Sequence, residues 1–293
     1  MILRKPLPHD ATNMKPLAFR IVNVFAESPL AGNPLAVFED ARGVDDATMQ
    51  ALALQFNLSE TTFVLPSETA SARVRIFTPA FEMPFAGHPT LGTAHVVREI
   101  RRAGDRVTLE MQAGVIPVSA DGDVWTLTAN APRPPRAAPT AAALAPALGL
   151  QPGDLDRAHP PLWIDTGTEQ LVIPLASYDA VRRANPSPAR LSELGGVAGR
   201  AMAYVLAREG DAVLARFFFL KLGSVVEDPG TGSACANLGG YLLATGASLP
   251  VRLAIDQGEA VGRPCRLGLR VEADRSIHVS GRVIEIGRGT ISL

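Results

Sequence analysis

Two segments of the sequence combine acidic residues with a glycine turn. Residues 82–88 read Glu-Met-Pro-Phe-Ala-Gly-His, and residues 227–233 read Glu-Asp-Pro-Gly-Thr-Gly-Ser. Both have the form Glu-x-Pro-x-x-Gly followed by His or Ser, and each follows an apolar, strand-like run. Carboxylates, imidazoles and hydroxyls bind and transfer protons, so these turns are candidates for acid–base chemistry.

A helix is predicted after each turn, over residues 89–97 and 234–244. Pro89 fits the first position of the first helix, and Ser233 fits the N-cap of the second. Unpaired N–H groups and the positive end of the helix dipole lie at such N-termini, which therefore favour a bound carboxylate. Ordinary capping is the alternative for each turn taken singly. The predicted substrate-binding residues are Gly87, Gly232, Ser233 and Ala234.

Both predicted helices lack a charged face, so they must be buried on all sides. A sheet wrapped around each helix meets this need, and small residues such as Gly92 and Gly239 would let strands come close. The repeat predicts an α+β fold of two pseudo-symmetric lobes, each a barrel-like sheet around a central helix. The predicted divisions are a flexible tail at 1–17, an N-terminal lobe at 18–130, a C-terminal lobe at 131–280, and a final strand at 281–293 packing back on the N-terminal lobe.

The composition limits the classes of function. The chain has 293 residues, of which 47% are hydrophobic and 19% charged, and it is long enough for two lobes with separate cores. Its formal net charge is -1 and its basic residues are scattered, which predicts no nucleic-acid or membrane partner. Two cysteines and no signal-like start predict a soluble, cytoplasmic protein without a disulfide framework.

Other chemistries fit the sequence less well. The turn at 230–235 lacks the third glycine of a dinucleotide fingerprint, and no Gly-Lys-Ser/Thr follows either turn. His88 and His95 are too far apart for a compact ligand set, so no metal is predicted. A hydrolytic trio of Ser233, His88 and Asp228 remains a minor alternative, because Ser233 is not in a Gly-x-Ser-x-Gly elbow.

Three segments resemble the signatures of one family. They are Asn57-Leu-Ser-Glu-Thr-Thr-Phe63, Pro84-Phe-Ala-Gly-His-Pro-Thr-Leu-Gly92 and Glu227-Asp-Pro-Gly-Thr-Gly-Ser-Ala234, and they are similar to those of the PhzF-like (phenazine biosynthesis) proteins. The resemblance runs from about residue 18 to the end. It implies the two-lobed fold of diaminopimelate epimerase and a cofactor-independent isomerase. Secondary-metabolite biosynthesis is the expected setting.

The resemblance also implies roles for single residues. Glu60 would be the general acid/base, with His88 and Asp228 as further catalytic residues in the same cleft. The best-known member of the family isomerises a dihydro-hydroxyanthranilate, with Glu moving a proton between ring carbons. A carboxylate enclosed in an apolar cleft has a raised pKa, which suits a group that both takes and returns a proton. A hydrogen-bonding or capping role for His88 is equally open, and a solvated loop position is the alternative for Glu60.

Further expectations concern the surroundings of the cleft. Adjacent residues on a strand point oppositely, so only one of Glu227 and Asp228 should face the cleft. Glu82 and Glu227 are expected to be structural, bonding turn amides. The segment 163–170 is a candidate for shaping the pocket, with Trp163 itself more typical of a core residue.

Two alternatives to a Glu-based isomerase were weighed. A racemase using one thiol from each lobe is excluded, because residues 1–234 contain no cysteine. Cys235 is therefore predicted to be a core residue. A non-catalytic protein that binds small anions is the other alternative. The expected partner is a small anionic substrate, cyclic or amino-acid-like, and the resemblance implies a second copy of the chain in a homodimer.

Overall fold

The computed structural model describes residues 16–196 and 201–293. It contains two lobes that meet along one long strand. The elements of the first lobe are β1 (Leu17–Val24), β2 (Asn33–Phe38), α1 (Asp46–Phe56), β3 (Thr61–Leu65), β4 (Ala72–Phe77), β5 (Glu82–Met83), α2 (Gly87–Arg101), β6 (Arg106–Met111), β7 (Gly114–Asp121) and β8 (Val124–Thr128).

The second lobe continues the chain and ends in the shared strand. Its elements are β9 (Arg136–Ala137), α3 (Ala141–Ala147), β10 (Leu162–Asp165), β11 (Glu169–Pro174), α4 (Tyr178–Arg183), α5 (Pro188–Glu193), β12 (Met202–Glu209), β13 (Ala212–Lys221), β14 (Ser224–Asp228), α6 (Gly232–Ala244), β15 (Val251–Gln257), β16 (Cys265–Val271) and β17 (Ile277–Ile291).

The first lobe is a closed barrel. Its eight strands pair in the order β1, β2, β3, β4, β6, β7, β8 and β17, and β17 returns to β1. The second lobe pairs β10, β11, β12, β13, β15, β16 and β17 in that order. In β17, residues 277–280 pair with β16, whereas residues 283–291 (except Ile286) pair with β1, so one strand belongs to both lobes.

The two lobes repeat the same strand pairings. In each, a parallel pair (β2–β3 or β11–β12) is followed by an antiparallel hairpin that ends before the central helix. These registers define equivalent positions. The matched residues are Ala36 with Leu171, Thr61 with Ala203, Phe77 with Phe218 and Glu82 with Glu227. The predicted α+β fold with pseudo-symmetric lobes is therefore confirmed.

The central helices are buried as predicted. Residues 88–97 of α2 are all buried, as are nearly all residues of α6. A Cβ on Gly92 would lie 2.7 Å from Leu35 Cδ2, and one on Gly239 would lie 2.7 Å from Ile277 Cγ2. Because real side chains do not approach so closely, only glycine lets the strands pack against these helices.

Two details differ from the sequence-based expectations. The predicted tail at 1–17 lies mostly outside the described residues, but Leu17 begins β1 because its side chain is buried in a cluster with Phe38 and Phe63. The predicted division at 280/281 cuts through β17, which continues unbroken from one lobe to the other. The segment 131–150 contains β9 and α3 and buries Leu144 in the second lobe.

Among the described residues, no helix has both the length and the apolar character needed to cross a bilayer.

Candidate active site

The N-termini of the two central helices meet head to head. α2 begins at Gly87, two residues before Pro89, which was predicted to be its first residue. α6 begins at Gly232, also two residues early, because Ser233 was predicted to be its N-cap. A Cβ on Gly87 would lie 3.5 Å from Gly232 Cα, an ordinary van der Waals distance, so the two helix starts pack directly against each other. This is a tertiary contact, so it cannot be predicted from local capping residues.

The N-cap residues leave the first-turn amides of both helices open. These residues are Ala86 and Thr231, and neither makes a side-chain cap hydrogen bond. Ser233 is therefore the second residue of α6 and not its cap. Ala234 is fully buried and its side chain has no polar atom to offer a ligand. Two sets of N–H groups and two positive dipole ends converge here, an arrangement that favours a carboxylate.

Glu60 lies in the loop immediately before β3, beside this junction. Its side chain is only 16% exposed, and its Oε2 atom is buried without a hydrogen-bond partner among the described residues. Burial raises the pKa of Glu60, while a hydrogen bond from Ser59 and the charge of Lys221 oppose the rise. The carboxyl is therefore easier to protonate than one in water.

His88 faces Glu60 from the second position of α2. Its Nε2 lies 3.5 Å from Glu60 Oε2 and, like that oxygen, is buried without a hydrogen-bond partner among the described residues. Burial lowers the pKa of His88 to about 4, against the opposing influence of Asp228 and the Pro34 backbone. The imidazole is therefore neutral near pH 7, and its contact with Glu60 is not an ion pair.

A neutral imidazole has one ring nitrogen that donates and one that accepts. A protonated Glu60 can therefore donate a hydrogen bond across the 3.5 Å contact when the lone pair of His88 lies on Nε2.

Asp228 approaches from the other lobe, at the end of β14. Its Oδ1 accepts a hydrogen bond of 3.1 Å from Asn33 Nδ2, and its Oδ2 accepts one of 2.5 Å from Thr231 Oγ1. Burial raises the pKa of Asp228, and the Glu60 carboxylate adds to the rise, whereas His88, Thr231 and Asn33 lower it. Two carboxyl groups with raised pKa values thus share the site.

Glu227 points away from Asp228, as expected for neighbours on a strand. It accepts hydrogen bonds of 3.0 and 2.7 Å from Arg216. The equivalent Glu82 accepts bonds of 2.7 and 2.6 Å from Arg75. Both acids are structural, but they bind arginines and not the turn amides that were expected, because each arginine lies across the hairpin from its acid.

Ser233 contacts a residue that the sequence did not single out by itself. Its Oγ accepts a hydrogen bond of 2.9 Å from Gln170 Nε2 on β11. Within the described residues no bond joins Ser233 to His88, so the hydrolytic trio is not assembled. Gln170 ends the segment 163–170 that was expected near the pocket, and its polar side chain directly before the apolar run 171–174 of the same strand was the available signal.

The remaining candidates are core residues. Cys235 is 0% exposed, as predicted, and burial raises the pKa values of both Cys235 and Cys265. Trp163 is buried in the second lobe, with the Arg136 guanidinium 4.8 Å from its ring centroid. In the described ranges, no group of three or more His, Cys, Asp or Glu side chains is placed to hold a metal ion.

Comparisons with known proteins point in one direction. Residues 22–289 match the PhzC-PhzF family, described as phenazine biosynthesis-like protein. An uncharacterized isomerase of Pasteurella multocida is 38% identical over 95% of both chains. The trans-2,3-dihydro-3-hydroxyanthranilate isomerase of Pseudomonas fluorescens is 36% identical over 93% of this chain and 98% of its own.

Solved structures agree with the sequence matches. The Bacillus anthracis phenazine biosynthesis protein of the PhzF family superposes with a TM-score of 0.84 at 26% identity, covering 96% of this chain and 100% of its own. A hydroxyproline epimerase from Agrobacterium vitis has a TM-score of 0.61 at 14% identity, covering 95% and 93%. The second similarity shows the fold alone.

Proposed function

Since the chain belongs to the PhzC-PhzF family of phenazine biosynthesis-like proteins and is an isomerase, we propose that Glu60 moves a proton between two carbons of a small carboxylate substrate. The relative that isomerises trans-2,3-dihydro-3-hydroxyanthranilate favours a cyclic, amino-acid-like molecule. A binding protein without turnover, the earlier alternative, is disfavoured because the named relatives are isomerases.

One observation carries the proposal. Glu60 Oε2 and His88 Nε2 are both buried and unpaired among the described residues, 3.5 Å apart, beside the meeting point of the two helix N-termini. Buried polar atoms are ordinarily hydrogen-bonded, and an unpaired one costs about 1–3 kcal/mol. A substrate that bonds these atoms would recover that cost.

The proposed step begins with the substrate carboxylate at the amides of α2 and α6. Ionised Glu60 removes a proton from one carbon, and the electron pair left behind spreads into the conjugated system toward the carboxylate. Amides and helix dipoles already fixed in place stabilise the developing negative charge. Protonated Glu60 then returns the proton to a second carbon, so substrate and product have the same composition.

The raised pKa of Glu60 suits both halves of this step. A carboxyl whose pKa is closer to the working pH is a stronger base than an ordinary glutamate, and a larger fraction of it is protonated and able to act as an acid. The Nε2 lone pair of neutral His88 accepts a bond from the protonated form. Asp228, held by Asn33 and Thr231, completes the site as a second carboxyl facing the substrate. This route uses no cofactor.

The test is proton exchange and turnover with trans-2,3-dihydro-3-hydroxyanthranilate in heavy water. Glu60→Gln keeps the shape of the side chain but cannot accept the proton. We expect deuterium incorporation and kcat to fall by about a thousandfold or more. Glu82→Gln is the matched control, since it removes a carboxylate of the same lobe that faces Arg75, and it should keep activity. Unchanged exchange in Glu60→Gln would remove Glu60 from the mechanism.

A further inference from the structure

A chain of buried side chains lies behind Ser233 and ends at a backbone amide. Gln170 Nε2 donates to Ser233 Oγ at 2.9 Å, and Asn237 Nδ2 donates to Gln170 Oε1 at 2.8 Å. Asn237 Oδ1 accepts from the Thr166 N–H at 2.9 Å and from its hydroxyl at 2.7 Å. Gln170 is 1% exposed and Asn237 0%.

The backbone fixes the direction of every bond in this chain. An N–H can only donate, so the atom of Asn237 facing Thr166 must be its oxygen. The other end of the same amide donates to the carbonyl of Thr168, which can only accept, and this fixes the orientation independently. Asn237 must then donate to Gln170, which leaves the Gln170 amide nitrogen facing Ser233.

Ser233 is consequently the acceptor in its bond with Gln170. A hydroxyl has one proton, and a hydroxyl that accepts from one side is free to donate on another. Ser233 is partly exposed and lies in the first turn of α6, where that helix meets α2, so its free proton can bond a group held at the two helix starts. Thr166, three hydrogen bonds away from Ser233 along this chain, therefore determines that the Ser233 hydroxyl is left to donate to a ligand.

The fold itself does not require these polar residues. From the strand registers and helix starts, the position equivalent to Gln170 in the first lobe is Leu35, and the position equivalent to Asn237 is Gly92. Leu35 is fully buried. The same architecture is thus built in the other lobe without the network.

We propose that Gln170 and Asn237 are positioning residues that hold Ser233 as a hydrogen-bond donor to the substrate carboxylate. This rests on the proposed function, which places a carboxylate at the two helix starts. Ser233 is then the side-chain member of a carboxylate site otherwise built from backbone amides. The second lobe contributes recognition of the substrate, while Glu60 in the first contributes proton transfer.

The first test is a double-mutant cycle with anthranilate, an unreactive cyclic carboxylate, titrated by calorimetry. Ser233→Ala should weaken binding about tenfold or more, as for loss of a hydrogen bond to a charged group. Gln170→Met, which removes the donor, should weaken it about three- to tenfold by freeing the hydroxyl to rotate. The double variant should bind no more weakly than Ser233→Ala.

A merely structural role for Gln170 gives a different result. The loss caused by Gln170→Met would then recur in the Ser233→Ala background, which would overturn the proposal. Turnover supplies a second readout, because Gln170→Met should raise KM and leave kcat nearly unchanged. Thr93→Val, in the other central helix α2, is the matched control. It removes a buried hydrogen bond to Thr62 on β3 and should leave anthranilate binding intact.

The second test needs neither ligand nor variant. Neutron diffraction from crystals of the wild-type protein in heavy water should place the deuterium of Ser233 Oγ on the cleft side, with both deuteriums of the Gln170 amide on the nitrogen facing Ser233. A deuterium pointing from Ser233 to Gln170 would overturn the proposal. If wild-type protein fails to bind anthranilate, the carboxylate site fails, and the neutron map still decides the orientation of Ser233.

Discussion

The two lobes have the same strand pairings but different chemistry at equivalent positions. Glu60 lies immediately before β3. The equivalent residue in the second lobe is Met202, the first residue of β12. Asp228 ends β14, and Met83 holds the matching place on β5. His88 corresponds to Ser233. Each lobe therefore supplies one carboxyl group, from a position where the other lobe has methionine.

The comparison separates what the scaffold needs from what the reaction needs. The features shared by both lobes are the glycine at the helix start, the buried helix and the arginine–glutamate pair across the hairpin. These position the site. The features found in one lobe only are the two carboxyls, the imidazole and the polar chain behind Ser233. A symmetric frame thus holds an asymmetric site, which suits the proposed substrate with a carboxylate at one end and the reacting carbons at the other.

The strongest way to break this comparison is Asp228→Asn. The amide keeps an acceptor for Asn33, and the Thr231 hydroxyl can rotate to accept from it, so the fold should survive. We expect kcat to fall by about a hundred- to ten-thousandfold, as for loss of a positioned acid or base. Steady-state kinetics with the dihydro-hydroxyanthranilate checks it, with Met83→Leu as control. Equal activity in both variants would remove Asp228 from the catalytic set.

A stability experiment tests the shared frame. Arg216 and Glu227 have side chains 14% and 9% exposed, against 17% and 20% for Arg75 and Glu82. Arg216 also donates to three backbone carbonyls at and after the end of α4, those of residues 181, 182 and 184. Arg216→Met should therefore cost about 3 kcal/mol of unfolding free energy, and Arg75→Met about 1–2 kcal/mol. Urea denaturation measures both, and a larger loss at Arg75 would contradict the ranking.

The pH dependence of stability should separate the reactive carboxyls from the structural ones. The pKa values of Glu60 and Asp228 are raised in the folded protein, so their ionisation opposes folding as pH rises through those values. Glu60→Gln should then be more stable than wild type at pH 8, with a smaller difference at pH 4. Glu82→Gln should lose stability at pH 8. Calorimetric Tm values at the two pH values check both signs.

The smallest effect is expected at Lys221, which ends β13 and is exposed. Its positive charge lowers the pKa of Glu60 against the effect of burial. Lys221→Met should shift the acidic limb of the kcat profile to higher pH by less than about one unit, because solvent weakens the interaction. A shift to lower pH would show that the charge acts through another group.

Much of this architecture could be predicted from residue patterns. The repeated Glu-x-Pro-x-x-Gly turns predicted two lobes. The absence of a charged face on the two helices predicted that each is buried inside a sheet. Glu60, His88 and Asp228 were named from the family resemblance, and the structure places them together at the cleft. Their catalytic roles stay predictions until the variants are measured.

The parts that could not be predicted depend on distant contacts. The first residues of α2 and α6, Gly87 and Gly232, lie against each other in a contact between lobes. Asn33 bonds Asp228 from 195 residues away, and Gln170 bonds Ser233 from 63 residues away. Hydrophobic periodicity and capping rules concern neighbouring residues, so they cannot predict hydrogen bonds between such distant residues. The partners of Glu82 and Glu227 were missed for the same reason, since cross-strand register is decided by the whole sheet.

The strand shared by the lobes has a consequence for how the protein is made. Residues 283–291 of β17, apart from Ile286, complete the first barrel by pairing with β1, although they follow the whole second lobe in the chain. While the ribosome extends the chain, β1 and β8 have unpaired edges, and open edges invite pairing with other chains. The first barrel therefore closes only after the second lobe has been synthesised, and the nascent chain depends on protection of these edges until β17 emerges.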